Sequence, residues 1–202
     1  MSGSITLENR FGVNKMELIS LKYAIFVIVL LVLYYCFPKK YRWYVLLAGS
    51  MAYYVIICKW YVLFIIFTIC TTYGSTIWID KLLKEQNAIV KSHKEDWDRQ
   101  TRKEYKEKGR KKRVAVMLFA LLCNFGILAF LKYIPYAGEL GLLLPLGISF
   151  YTFQSMGYVM DVYREIVEPE KNFLKVALFV SFFPQIIQGP IAIYDKLAGQ
   201  LY

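Results

Sequence analysis

Long apolar runs alternate with short basic connectors along most of this chain. The first run extends from about Leu18 to Phe37, "LISLKYAIFVIVLLVLYYCF", with Lys22 near one end and Pro38 and Lys39 following it. It lacks the small-residue pattern of a signal-peptidase site, so it reads as a retained anchor, with a cleaved signal as the alternative. Two more runs, about Trp43 to Cys58 and Trp60 to Ile79, are separated only by Lys59, and a fourth covers about Val114 to Leu131. A helix needs ~20 apolar residues to cross a bilayer, and these runs approach or meet that length. The last two, about Gly141 to Met160 and Phe173 to Ile193, are interrupted by Pro145 and Gly147 and by Pro184, Gly189 and Pro190. Proline removes a backbone donor, and lipid offers no replacement, so neither is predicted to be one straight lipid-facing helix. The pattern predicts an all-α integral membrane protein with about six apolar segments, the last two broken or re-entrant, in a single domain over 1–202.

Composition agrees with this reading. The 202 residues are 57% hydrophobic and 17% aromatic, which excludes an ordinary soluble domain of this size. The one strongly polar stretch, 80–113, carries thirteen Lys/Arg against seven Asp/Glu, a net charge of +6. By the positive-inside rule it is predicted to be a cytoplasmic loop, which puts the N-terminus outside and makes the chain a multi-pass protein of the plasma membrane. Within it, "KEDWDRQTRKEYKEKGRKKR" reads as a solvated juxtamembrane helix, with "GRKKR" able to meet anionic headgroups. The basic residues follow topology, so nucleic acid is not an expected partner. Cys36, Cys58, Cys70 and Cys123 have neither C-x-x-C spacing nor a nearby histidine. They are expected to act as small buried hydrophobes, with no metal site and no disulfide framework.

The candidate chemistry gathers in the two broken runs. On a helix over 148–160, Tyr151, Ser155 and Tyr158 stand at i, i+4 and i+7, Gln154 neighbours Tyr158, and Ile148, Phe153 and Met160 supply apolar packing. Asp161 and Arg164 are spaced to pair on a continuing helix. Gln185 and Gln188 repeat the pattern in the sixth run, where hydrocarbon would penalise an unpaired amide. Two readings of these groups stay open: they line a cavity or path, or they join helices by hydrogen bonds. The chain has no G-x-x-x-x-G-K-[ST], H-E-x-x-H or G-x-S-x-G motif.

"LPLGISFYTFQSMGYVMDVYR" at 144–164 and "FVSFFPQIIQGPIAIYDKLAGQL" at 179–201 closely resemble the membrane-bound O-acyltransferase family, in the branch whose members modify alginate and teichoic acid. The resemblance implies the N-terminal part of a ring of helices around a membrane funnel. The implied activity is transfer of an acyl group, acetyl first, to a hydroxyl of a cell-envelope polysaccharide. It implies no bound cofactor, an unidentified thioester-type donor, and partner proteins in envelope acyl transfer beside the lipid bilayer. Tyr151, Gln154, Ser155, Tyr158, Gln185 and Gln188 become the funnel candidates, as positioning groups. The family's catalytic histidine is expected beyond residue 202, since His93, the single histidine, lies in the charged stretch and matches no family position. On this reading the chain is a truncated, inactive fragment. A non-catalytic assembly subunit or a small transporter-like protein is the alternative.

Overall fold

The computed structural model describes residues 21–58, 62–93, 97–133, 147–184 and 194–201. These residues form seven α-helices and one short 3-10 turn. α1 (Leu21–Cys36) stops ahead of Pro38, and the turn Lys39–Tyr41, closed by Tyr41 N–H donating to Pro38 O at 2.9 Å, leads into α2 (Arg42–Cys58). The Arg42 guanidinium staples this corner. Its Nε donates to Phe37 O at 3.1 Å, and the group lies 5.2 and 5.4 Å from the ring centres of Tyr34 and Tyr35.

α3 (Val62–Ser92) and α4 (Arg99–Tyr133) are 31 and 35 residues long, and each contains a stretch long and apolar enough to cross a membrane. Their length extends the picture of the polar stretch, whose 94–113 part was expected as a solvated juxtamembrane helix in a cytoplasmic loop. Asp80 to Ser92 continue α3, and Arg99 to Arg113 begin α4. The cause is composition: Lys, Glu, Gln and Arg are strong helix formers, and Lys81–Glu85, Asp80–Lys84 and Gln100–Glu104 support the helices at i, i+4. The two extensions pack together where Gln86 Nε2 donates to Lys106 O at 2.9 Å. Gly109 makes room for that amide, since a Cβ there would lie about 2.5 Å from Gln86 Cδ.

α5 (Ile148–Tyr163), α6 (Phe173–Ser181) and α7 (Tyr194–Leu201) follow. α3 packs on α4, α5 and α6, and α5 also packs on α4. Ile65, Ile69 and Ile79 of α3 join Tyr151, Val159 and Val162 of α5 and Val176 and Phe179 of α6 in the main core. A second, smaller cluster joins Leu30, Tyr53 and Phe183, with Phe26 at 5.5 and 5.6 Å from the latter two rings. The outward faces are strongly apolar, with Phe119 and Leu122 of α4 65% and 73% exposed, while Thr68, Thr72, Thr76, Gln154 and Ser155 are buried. Water would penalise that arrangement and lipid would not.

Two further expectations are corrected. Cys36 and Cys70 are exposed because they fall on outward faces, and Cys123 is half-buried, so these three thiols are not core residues; the Cys58 side chain lies outside the described ones. Asp161 and Arg164 form no ion pair among the described residues: the continuing helix on which the pair was expected stops at Tyr163, with Arg164 as its C-cap. Instead Glu165 takes the left-handed conformation, φ 62°, in a Schellman close: Glu165 N–H donates to Val162 O at 3.1 Å and Ile166 N–H to Asp161 O at 3.0 Å.

Candidate functional site

α5 begins after Gly147, whose φ of 72° precedes its first turn; the earlier part of the fifth run, 141–146 with Pro145, lies outside the described residues. Left-handed backbone favours glycine, and Tyr151 N–H then closes the turn by donating to Gly147 O at 3.1 Å. This start sets the phase of the helix. Tyr151, Gln154, Ser155 and Tyr158 all face the buried side, whereas Phe153 is 46% exposed and meets Phe125 of α4 at 5.4 Å. Phe153 therefore packs on the outer surface and not in the core.

Each described candidate has a defined environment. Gln154 Nε2 donates to Phe179 O at 2.7 Å, across the α5–α6 contact. Phe179 lies in the last turn of α6, where carbonyls have no intrahelical donor, so Gln154 caps that helix. α6 cannot continue, because Phe182 is extended, φ −60° and ψ 100°, and Pro184 follows. Ser155 Oγ donates to Tyr151 O at 2.6 Å within its own helix. Tyr151 is buried in the main core. Gln185 and Gln188 lie outside the described residues.

Tyr158 sits at the centre of a polar cluster joining α3, α5, α6 and α7. Its hydroxyl accepts from Glu170 N–H at 2.8 Å and has Thr76 of α3 as a second partner. Its ring stacks on Tyr194 at 4.3 Å and meets the edge of Phe179 at 5.7 Å. The Glu170 carboxylate accepts from Asn172 N–H at 2.9 Å and from the Tyr194 hydroxyl at 3.4 Å, with Lys175 Nζ at 3.7 Å. Asn172 Oδ1 in turn accepts from Leu174 N–H at 3.0 Å as the N-cap of α6. α6 is thus fixed at its start by Glu170 and Asn172 and at its end by Gln154.

Sequence reasoning missed three contributors. Glu170 lies in a connector, where pairing depends on the fold. The stripe Thr68, Thr72, Ser75 and Thr76 is buried along α3, and its i, i+4, i+7, i+8 spacing was a readable signal. Asn124, alone in an apolar run, donates through Nδ2 to Thr71 Oγ1 at 2.9 Å and to Ala120 O at 2.8 Å. In chemical terms the cluster joins neutral hydroxyl and amide groups to one charged pair, Glu170 and Lys175. His93 is exposed at the end of α3, where its ring stacks on Trp97 at 4.9 Å. Among the described residues, no group of three His, Cys, Asp or Glu could hold a metal ion.

The chain is similar to several curated proteins over part of its length. It is 47% identical over 58 residues to the probable alginate O-acetylase AlgI of Pseudomonas syringae pv. tomato, covering 29% of this chain and 11% of that protein. It is 37% identical over 83 residues to the probable alginate O-acetylase AlgI of Azotobacter vinelandii, covering 41% of this chain and 15% of that protein. Its identity to the peptidoglycan O-acetyltransferase of Helicobacter pylori is 32% over 120 residues, covering 42% of this chain and 23% of that protein. The chain therefore matches less than a quarter of each of these relatives' own length. No protein-family model and no solved structure matches it.

Proposed function

We propose that this chain, a partial relative of O-acetyltransferases of the membrane-bound O-acyltransferase type, forms the N-terminal wall of an enzyme that acylates a cell-envelope polysaccharide. The observation that carries the reading is the kinship itself, because the relatives are named for O-acetylation of alginate or peptidoglycan. Acetyl is accordingly the favoured group and a polymer hydroxyl the favoured acceptor. The wall is multi-pass in the plasma membrane, with six apolar segments, the N-terminus outside and the α3–α4 extensions in the cytoplasm. Their positive charge supports that orientation.

In such a transfer the acceptor oxygen attacks the donor carbonyl, its proton passes to a general base, and a thiol leaves from a thioester-type donor. The base is a histidine other than His93. Gln154 and Tyr158 act as positioning groups by holding α6 and α7, and Gln185 and Gln188, which lie outside the described residues, are assigned the same role. Tyr151 and Ser155 shape the same wall. Partner proteins of envelope acyl transfer would deliver or receive the substrates.

The test is genetic and chemical. Disrupting the gene in its own host is expected to lower the acetate released by mild alkali from one envelope polysaccharide, and re-expression to restore it. Unchanged acetate in every envelope polymer would reject the reading.

A further inference from the structure

A groove of about 400 Å³ runs along the outside of the molecule between α1, α2, α7 and the segment after α6. Its walls include Val27, Leu31 and Tyr34 of α1, Leu46 of α2, Phe183 in the segment after α6, and Leu197 of α7. Val27 to Tyr34 spans two helical turns, about 10 Å along the axis. The walls are largely apolar over that length, which suits a hydrocarbon chain.

Exposed cations follow the Tyr34 end of the groove. Beyond Tyr34 the chain turns through Lys39–Tyr41, where Lys39 and Lys40 are exposed and form no ion pair among the described residues. Arg42 lies over the rings of Tyr34 and Tyr35 at the same end. A neutral lipid would have no use for these cations, and a free anion would have none for the apolar walls. An amphiphile with one anionic head satisfies both.

We propose that this groove binds an acyl chain of an anionic phospholipid, with the phosphate beside Lys39 and Lys40 and the chain along α1 towards Val27. The proposal does not depend on acyl transfer, and its test reads no transferase activity. The full chain is placed in phosphatidylcholine nanodiscs containing phosphatidylglycerol with a photoreactive diazirine midway along one acyl chain, and adducts are mapped by mass spectrometry. Adducts are expected to concentrate on peptides 27–35 and 194–201, roughly tenfold above those from a phosphatidylcholine probe. K39Q/K40Q, which changes only exposed side chains, is expected to remove that excess while leaving labelling around Phe119 and Leu122 of α4 unchanged. Equal labelling by the two probes, or an excess that survives K39Q/K40Q, would overturn the proposal. So would labelling of α4 with none in the groove, because protein would then cover it.

Discussion

Arg113 Nη1 of α4 meets Glu165 Oε1 at 3.2 Å, and Glu165 makes this contact from a left-handed backbone position. The Arg113 side chain is only 11% exposed, whereas that of Glu165 is 54% exposed. The pair joins the polar start of the apolar part of α4 to the end of α5, and it occupies a slot that usually holds glycine.

Glu165→Ala is expected to lose the ion pair and keep the backbone penalty, whereas Glu165→Gly loses the pair and relieves that penalty. The glycine variant should be more stable than the alanine variant by about 1 kcal/mol and close to the native chain. Unfolding of the purified protein in mixed detergent micelles measures the order. Equal stabilities of the two variants would show that φ at 165 carries no strain.

Gln154→Ala leaves the Phe179 carbonyl buried without its donor, at a cost of about 1–3 kcal/mol. Gln154→Glu should be at least as harmful, because a carboxylate offers no N–H. In a full-length relative with glutamine at this position, alanine should lower acyl transfer more than membrane abundance. Normal transfer at normal abundance would remove Gln154 from the site.

At the α3–α4 contact, Gly109→Ala brings a helix-propensity gain of about 1 kcal/mol against displacement of the Gln86 amide. The expected signs therefore depend on background: neutral or destabilising in the native chain, stabilising when Gln86 is already alanine. A double-mutant cycle should return a coupling of about 1–2 kcal/mol. Additive effects would mean that Gly109 and Gln86 do not compete for space.

Removing the Glu170 carboxylate releases the acceptor of Asn172 N–H and Tyr194 O–H together. Glu170→Ala is expected to raise amide hydrogen exchange in 194–201 at least severalfold, while Glu170→Gln, which keeps an acceptor oxygen, should raise it less. Tyr194→Phe keeps the stack on Tyr158 and should change exchange least. Identical exchange in all three variants would deny Glu170 its anchoring role.

Hydropathy located the apolar parts of α1 to α4 well, because transfer to lipid is a local property of the residues. It marks 80–113 only as polar; there the abundance of Lys and Glu, good helix formers, made a helix legible over 94–113, while the continuation of α3 over 80–92 was not read. The shared face of Tyr151, Gln154, Ser155 and Tyr158 was legible from 3.6-residue spacing alone. Their partners were not, since Phe179 lies 25 residues from Gln154 and the Glu170 amide 12 from Tyr158. Asp161 and Arg164 were spaced correctly for a pair on a continuing helix, but the helix ends between them at Tyr163 in its Schellman close.

The extension of α3 beyond Ile79 has a consequence for how charge is felt. Thirteen residues from Asp80 to Ser92 carry the helix about 20 Å past its apolar stretch. Lys111, Lys112 and Arg113 lie at the base of this stalk, while the far turn near Trp97 stands more than two Debye lengths of about 8 Å away. Base charges can anchor the helices at a membrane surface; tip charges are screened from it. The stalk is therefore a mast, and an epitope or single cysteine label at its tip would report which side of the membrane it occupies without disturbing the helices below.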